Sequence, residues 1–295
     1  MAIASVKVTI NGSTYTLTNS SGNVWTATLT APGATSWNLS GNKYPVTVTA
    51  TNTAGTVVTD SSYGVRVKET VKPVITISSP TSGARVVNNK QPVVIAITDE
   101  TGGSGVNIGS LVIKVDGTTV SDGITMTSST ASDGSISGYN VTYTPVSAMS
   151  DGQHTVTVTC SDNDGNAAAA KTTTYTIDTV PPTLNITRPE NGLITNTAAC
   201  TVSGITNDAT SSPVTLTVNG KAVTVDSSGA FATTITLTEG ENTITVVAKD
   251  SAGKTTTVTR KVTLDTTKPV ISNIAISPNP ANTGASMTLT VTVTG

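Results

Sequence analysis

Charged, aromatic and thiol-bearing side chains are all scarce in this chain of 295 residues. Charged residues make up 12% and aromatic residues 3%, and the formal net charge is −2. Such a chain offers neither the basic patch that attracts nucleic acid or anionic lipid nor the row of rings on which single-stranded bases stack. Composition therefore argues against nucleic acid as a partner, and threonine and serine must supply most of the polar surface.

Residues that carry catalysis are equally few. The single histidine, His154, follows Asp151-Gly152 in what we expect to be an exposed turn. The sequence has no nucleophile beside a base, no histidine or cysteine spacing suited to zinc, and no phosphate-binding glycine loop. We therefore predict no catalytic residue, no organic cofactor and no enzyme activity.

The two cysteines, Cys160 and Cys200, lie at apolar positions of alternating strand patterns in different repeats. A disulfide between them would have to cross a domain boundary, so we expect two buried thiols. No apolar run reaches 18 residues, and the segment 1–9 lacks the charged and then apolar order of a signal peptide. The sequence as given thus predicts neither a membrane span nor export by a signal peptide.

What the chain does contain is a unit that occurs three times. Each copy has a hairpin dipeptide, then a turn glycine, then a proline that opens the next copy. The dipeptides are Asn11-Gly12, Asp116-Gly117 and Asn219-Gly220, the glycines are Gly55, Gly165 and Gly253, and the prolines are Pro73, Pro182 and Pro269. The glycine and the proline are separated by 18, 17 and 16 residues. Such regular self-similarity is the signature of tandem repeats.

Apolar and polar residues alternate with period 2 along the whole chain, which predicts an all-β protein. In the third repeat we predict seven strands, A to G, at about 183–187, 198–203, 214–218, 222–225, 230–237, 242–249 and 255–264. Seven short strands separated by Gly, Asn and Asp turns are typical of a two-sheet sandwich. The second repeat follows the same order, with a longer region between strands C and E at 122–138.

The linkers 177–182 and 264–269 and the turn 248–253 resemble those of bacterial immunoglobulin-like (Ig-like) repeat domains, which occur in surface adhesins and in virion proteins of tailed bacteriophages. The resemblance implies tandem Ig-like β-sandwiches that act mainly as spacers, stalks and weak binding modules. It places the domains at 1–69, 70–180 and 181–266, with a partial unit at 267–295. The chain lacks the cysteine pair of antibody domains, which favours the bacterial or phage branch.

The repeats are incomplete at both ends of the sequence. Domain 1–69 lacks strands A and B, whereas 267–295 supplies an A-like strand at 270–276 and a B-like strand at 287–294. One interpretation is a smaller first sandwich together with a trimmed tail. The other is self-association, in which the terminal strands of one molecule complete the first domain of another.

One acidic group is predicted at the junction of the first two domains, where the B–C and F–G loops meet the linker. It comprises Glu69, Asp99, Glu100, Asp162 and Asp164, and a thinner set comprises Asp178, Asp208 and Asp250. Oxygen ligands gathered at a linker suit calcium, which takes six to eight of them. The alternative is that these residues are ordinary turn formers, because Asp side chains bond the local backbone.

Three functions remain open. The first is a non-catalytic structural and adhesive component of a phage virion, assembled in the bacterial cytoplasm, whose partners are other virion proteins. The second is a fragment of a bacterial cell-surface adhesin or stalk. The third is a set of accessory domains of a polysaccharide-degrading enzyme. Weak glycan binding would come from Trp37 or Tyr44 stacking on sugar rings, unless these aromatics are packed.

Overall fold

A computed structural model describes residues 2–130 and 136–295, and nearly all of its regular structure is β-strand. Within those ranges the one helical segment is a single 3-10 turn, Ser40–Asn42. The chain divides into two compact units, residues 1–178 and 179–295. The all-β prediction is confirmed.

The first part of the first unit is a single antiparallel sheet of five strands, called the first sheet below. Its strands are β1 (Ile3–Ile10), β2 (Ser13–Ser21), β3 (Val24–Thr26), β4 (Tyr44–Asn52) and β5 (Val57–Val65), in the spatial order β3-β2-β1-β4-β5. In its centre Val8 lies opposite Val48, and Thr9 lies opposite Thr47. Apolar side chains therefore share one face and threonines share the other. The described strands of this segment pair in one continuous series, and the sandwich predicted for 1–69 stays a prediction.

The second part of the first unit is a complete two-sheet sandwich, called the second sandwich. Its strands are β6 (Val74–Ser79), β7 (Ala84–Val86), β8 (Val93–Thr98), β9 (Val106–Val115), β10 (Thr118–Val120), β11 (Ile124–Thr130), β12 (Ile136–Tyr143), β13 (Gly152–Asp162) and β14 (Lys171–Ile177). One sheet has the order β11-β12-β8-β6 and the other β10-β9-β13-β14-β7. Ile95, Val141 and Val156 have no exposed surface and form the centre of the core between the sheets. Residues 131–135 of the predicted long C-to-E region lie outside the described residues.

The second unit begins with a sandwich of the same construction, called the third sandwich. Its strands are β15 (Thr183–Arg188), β16 (Leu193–Thr195), β17 (Ala199–Asn207), β18 (Thr215–Val218), β19 (Lys221–Val223), β20 (Ala230–Thr236), β21 (Gly240–Lys249) and β22 (Thr255–Leu264). The sheets have the orders β15-β17-β20 and β16-β22-β21-β18-β19. Val202, Ile244 and Val262 are fully buried between them. All seven predicted strands are present.

The second unit ends with a two-stranded hairpin, called the terminal hairpin. It consists of β23 (Val270–Ser277) and β24 (Thr288–Thr294), which pair with each other in an antiparallel sheet of their own. Strands are therefore present near both positions predicted for 267–295, 270–276 and 287–294.

Each complete sandwich also has a short strand that the sequence analysis did not predict. In the third sandwich β16 pairs in parallel with β22, and in the second sandwich β7 pairs in parallel with β14. Both short strands follow a turn whose glycine, Gly83 or Gly192, has a positive φ. This strand, which lies between strands A and B, is called A′ below.

The three hairpin dipeptides adopt the conformation that their sequence predicts. Asn11, Asp116 and Asn219 have φ of 47°, 49° and 48°, and the glycine after each also has positive φ. Two successive residues with positive φ define the type I′ turn, which matches the right-handed twist of the paired strands. The same hairpin turn therefore occurs in all three copies of the repeat.

Candidate cation site and cleft in the first unit

The candidate site lies where the linker after the first sheet meets the loops of the second sandwich. Asp162 ends β13, and its Oδ1 accepts the backbone N–H of Asn166 at 2.8 Å, which fixes the turn. Asn52 and Asp250 make the corresponding turn bonds after β4 and β21. Asp162 thus makes the same turn bond as its counterparts. This supports the alternative stated above, that Asp162 is an ordinary turn former.

Asp162 also has acidic neighbours, as its counterpart Asp250 has in Asp208. Glu69, Asp99 and Asp162 each place a carboxylate oxygen within 4.8 Å of the others. Backbone N–H groups hold the first two in place: Ser104 donates to Glu69 Oε1, and Gly105 donates to Asp99 Oδ2 at 2.7 Å. We call Glu69, Asp99, Glu100 and Asp162 the acidic cluster.

Among the residues that the structure describes, three oxygens of the acidic cluster are buried and have no hydrogen-bond partner: Glu69 Oε2, Asp99 Oδ1 and Glu100 Oε2. Burial raises the pKa of the Glu69 carboxyl, and the neighbouring Glu100 carboxyl raises it further. Burial is also the main cause of the raised pKa of Asp99. Several carboxylates that share one buried site require either a bound proton or a cation between them. Their chemistry, hard oxygens from four acidic side chains, fits calcium.

Asp164, the fifth predicted ligand, is used differently. Its carboxylate accepts hydrogen bonds from Thr35 Oγ1 at 2.5 Å and from the Glu69 N–H at 3.1 Å, and Arg66 lies 3.4 Å away. Burial by itself would raise the pKa of Asp164, but these donors outweigh it and lower the pKa. Asp164 therefore connects the first sheet to the second sandwich, and its oxygens are directed to these donors.

A cleft of about 420 Å³ borders the acidic cluster. Its walls include Trp37, the segment 100–106 and Tyr139 of β12. Trp37 lies in the loop between β3 and β4 of the first sheet, which is called the long loop below. The Arg66 guanidinium lies 5.6 Å from the centre of the Trp37 ring, and this cation–π contact orients the ring. Trp37 is half-buried and remains available from the cleft.

The glycan-stacking prediction for Tyr44 is corrected. Tyr44 is 6% exposed, and its hydroxyl donates a hydrogen bond to the carbonyl of Ala34. A ring enclosed in this way cannot stack on a sugar, so only Trp37 of the predicted pair faces a cleft.

The exposed turn predicted for His154 is also corrected. His154 is 7% exposed; its Nδ1 is 2.7 Å from Asp116 Oδ2, and its Nε2 is 2.8 Å from the carbonyl oxygen of Ser150. Burial would lower the pKa of His154, but the bonds to Asp116 and Ser150 outweigh it and raise the pKa. His154 and Asp116 therefore form a structural ion pair in the second sandwich.

The thinner acidic set divides between the two units. Asp178 is the last residue of the first unit. In the third sandwich Asp208 accepts the N–H groups of Thr210 and Ser211, and Asp250 accepts that of Lys254. Asp208 and Asp250 thus make the local bonds expected of turn formers.

Sequence reasoning missed several polar residues that complete the junction. Ser104 Oγ accepts the N–H of Asp164, and Asn163 Nδ2 donates to the Ser104 and Gly105 carbonyls. Their signal in the sequence is the run Gly102-Gly103-Ser104-Gly105, which is too polar and too rich in glycine for a strand.

Comparison with known proteins identifies the class of domain. Residues 85–179 match a family model described as a bacterial Ig-like domain, and residues 182–266 match one described as glucodextranase, domain B. These matches include the second sandwich from β7 onward and the third sandwich, and they support the predicted bacterial Ig-like repeats.

One curated relative and two solved structures are similar to this chain. Bacillopeptidase F of Bacillus subtilis (strain 168) is 35% identical over 126 residues, which is 43% of this chain and 9% of that protein. The chain therefore spans less than a tenth of that relative. Fibronectin(III)-like modules of Clostridium thermocellum CbhA are 20% identical, with 65% of this chain and 94% of that chain covered and a TM-score of 0.39. The Escherichia coli adhesin FdeC is 16% identical, with 73% of each chain covered and a TM-score of 0.33.

Proposed function

We propose that this chain is a non-catalytic array of Ig-like domains that serves as a spacer and weak glycan-binding segment of a bacterial surface or degradative protein. The observation that carries the proposal is the pair of adjacent family matches at 85–179 and 182–266. Domains of this kind bury their apolar side chains in closed cores and present polar strands outward, so they give reach without reactive groups.

The degradative context is supported by two relatives that carry enzyme names. One is the glucodextranase domain B model, and the other is Bacillopeptidase F. This support favours the accessory-domain alternative over the phage virion. The virion interpretation stays a prediction. Within the described residues no helix is both long and apolar enough to span a bilayer, and we propose an extracellular or cell-surface location.

Glycan binding is proposed at the cleft beside Trp37. The test is affinity electrophoresis of the purified chain through gels that contain soluble α-glucan, β-glucan or peptidoglycan fragments. We expect retardation by at least one glycan, without release of reducing ends. Trp37→Ala should abolish retardation, whereas Trp25→Ala, which alters a half-buried ring in β3, should leave it unchanged. Migration unaffected by every glycan would remove the binding role, and glycan cleavage would remove the non-catalytic one.

We also propose that the acidic cluster binds one calcium ion and stiffens the joint between the first sheet and the second sandwich. The support is the three buried carboxylate oxygens that accept no hydrogen bond. An ion that binds only the folded protein stabilises it by about 2.7 kcal/mol when its concentration is a hundred times Kd.

Calorimetric titration should find one calcium ion per chain, and the melting temperature should rise with millimolar calcium. Asp99→Asn combined with Glu69→Gln should abolish both effects. Asp122→Asn, which alters an exposed loop, is the matched control and should retain both effects. An unchanged melting temperature at millimolar calcium would contradict the proposal.

A further inference from the structure

The terminal hairpin has one fully apolar face that its own unit leaves uncovered. The strand register places six aliphatic side chains on this face: Ile271, Ile274, Ile276, Leu289, Val291 and Val293. They are 44 to 61% exposed. The opposite face carries Asn273, Ala275 and the threonines of β24. An isolated two-stranded hairpin is marginal in water, so this face needs a second layer.

The first sheet has the matching deficiency. Its apolar face includes Val6 and Val8 of β1, which are buried, and Val46, Val48 and Ala50 of β4, which are only partly buried. The residues at the same places in the complete sandwiches are Val156, Val158 and Cys160 of β13 and Ile244, Val246 and Ala248 of β21, with exposures of 0 to 3%. Further along the face, Val58 and Tyr63 of β5 are 67 and 70% exposed. Among the residues described between 2 and 178, no second sheet opposes this face.

The missing layer and the terminal hairpin are the same part of the repeat. In both complete sandwiches the layer that faces strands C, F and G contains an A–B pair: β6 with β8, and β15 with β17. The A strand of each begins directly after the opening proline, as β23 begins directly after Pro269. The hairpin therefore has the pairing and the side-chain pattern of the layer that the first sheet lacks.

The connection within the hairpin repeats the turn that precedes each A′ strand. Ala285 N–H donates to the Asn282 carbonyl at 3.0 Å, as Ala84 does to Thr81 at 3.0 Å. Gly284 between them has φ of 80°, and Gly83 has φ of 81°. In the complete sandwiches the residues after this turn pair in parallel with strand G. In the terminal hairpin they pair with no described strand, and the outer edge of β5, the G-like strand of the first sheet, is also unpaired within the described residues.

We propose that the terminal hairpin of one molecule completes the first sheet of a second copy of this chain. Its apolar face covers Val46, Val48 and Ala50, and its segment 285–287 adds to the free edge of β5 as an A′ strand. A second copy is chosen as the occupant because the two surfaces are complementary parts of one repeat: the hairpin supplies an A–B layer, and the first sheet supplies the layer that an A–B pair covers in the complete sandwiches.

Such a contact joins two different surfaces, so it propagates from copy to copy in a head-to-tail chain. Sedimentation velocity of the intact protein should therefore show a mass that increases with concentration beyond the dimer. Ile274→Glu places a charge in the apolar face of the hairpin and should give monomers at all concentrations. Thr290→Glu, on the opposite face of the same hairpin, is the matched control and should assemble like the unmodified chain.

Mixing two variants gives a sharper test. Val48→Glu disables the receiving sheet and leaves the hairpin intact, so it complements Ile274→Glu. Each variant alone should be monomeric, and an equimolar mixture should double the mass to a 1:1 dimer and stop there. Thr49→Glu, which points to the threonine face of β4, should assemble normally.

The proposal is overturned if the unmodified chain stays monomeric, if both hairpin variants assemble equally, or if the mixture gives no dimer. Monomers throughout would mean that the face is closed within one molecule or by residues outside this sequence. Should Val48→Glu unfold the first sheet by circular dichroism, the comparison of Ile274→Glu with Thr290→Glu still decides the question. This inference is independent of the glycan and calcium proposals, which concern other residues.

Discussion

The hydroxyl of Thr35 donates a 2.5 Å hydrogen bond to the carboxylate of Asp164, and both residues are buried. The bond connects the long loop of the first sheet to the turn between β13 and β14 of the second sandwich. Asp164 also accepts the backbone N–H of Glu69, directly before the linker to the second sandwich. This carboxylate therefore attaches the first sheet to the second sandwich.

Asp164→Ala should release the first sheet from the second sandwich. The substitution leaves the Glu69 N–H without its acceptor, which costs about 1–3 kcal/mol for a buried group. The Thr35 hydroxyl loses its shorter hydrogen bond and keeps only the Val67 carbonyl at 3.3 Å. Hydrogen exchange should show loss of protection at the Glu69 amide and in the segment 33–37. Asp122→Ala, in an exposed loop, should leave these amides unchanged.

The same carboxylate makes the attachment sensitive to acid. The pKa of Asp164 is lowered in the folded protein from an ordinary value of 3.8. The contribution of Asp164 to folding stability is therefore complete above pH 3.8, and it is lost as the pH falls through the lowered pKa. Protection of the Glu69 amide should follow this loss, and protection that persists after full protonation would contradict the assignment.

The ion pair of His154 and Asp116 should make the second sandwich more stable in mild acid than in base. The pKa of His154 is raised above 6.5. Its contribution to folding stability is therefore complete below pH 6.5, and it is lost as the pH rises through the raised pKa. The pKa of Asp116 is lowered because the bond to His154 outweighs burial, so its contribution is lost only in strong acid. The urea midpoint of this domain should therefore fall between pH 6 and pH 9.

Asp116→Asn tests the charge of Asp116 separately from its hydrogen bond to the backbone of the turn. Asn219 holds the corresponding place in the third sandwich and accepts the Thr245 N–H at 2.8 Å, as Asp116 accepts that of Thr155. The variant therefore keeps the backbone bond and loses the anion. NMR titration of the one histidine in the sequence should show a lower pKa for His154. An unchanged pKa would mean that Asp116 is not its partner.

The strands that alternate clearly could be predicted from the sequence, and the pairings that depend on distant residues could not. β21 and β22 alternate over ten residues each, and their predicted bounds were close. β7 and β16 have three residues each and are held by parallel pairing to a strand more than 60 residues away, so no local period reveals them. His154 is buried because Asp116, 38 residues earlier, supplies its partner.

The sequence predicts which acidic residues lie at the candidate site, but it does not predict which of them face other carboxylates and which accept hydrogen bonds from the first sheet. The loops that carry Asp99 and Asp162 follow strand ends in the repeat, so their approach follows from topology. The sequence does not distinguish Asp162, whose neighbours are carboxylates, from Asp164 two residues later, whose neighbours are Thr35 and Arg66. Asp164 differs from Asp162 because Thr35 and Arg66, from the first sheet and its long loop, pack against Asp164.

Gly103→Ala should weaken calcium binding at the acidic cluster. A Cβ at this position would lie 2.8 Å from Asp99 Oδ2 and 2.9 Å from the Glu100 carboxyl, so it would displace both side chains. The backbone there has no positive φ, so the effect is confined to these contacts. We expect at least a tenfold increase in Kd by calorimetry. Gly33→Ala, whose Cβ would meet no atom within 4 Å, should bind as the unmodified chain does.

Gly204→Ala should destabilise the third sandwich selectively. Its Cβ would lie 2.1 Å from the carbonyl oxygen of Asn185 in β15 and 2.9 Å from the Phe231 ring in β20. Separating two paired strands to admit a methyl group costs about 1–3 kcal/mol. Urea unfolding should show a lower midpoint for this domain and an unchanged midpoint for the second sandwich. Equal shifts in both would show that the two domains unfold as one cooperative unit.

Cys160 and Cys200 should report the unfolding of the two sandwiches separately. Both thiols are free, as predicted, and are 3 and 6% exposed, and burial raises the pKa of each. Because the thiolate is the reactive form, a disulfide reagent should not label the native chain at neutral pH. Under increasing urea, Cys160→Ala leaves a reporter for the third sandwich and Cys200→Ala leaves one for the second. Two distinct labelling midpoints are expected since each sandwich has its own core, and rapid labelling of either thiol without urea would contradict its burial.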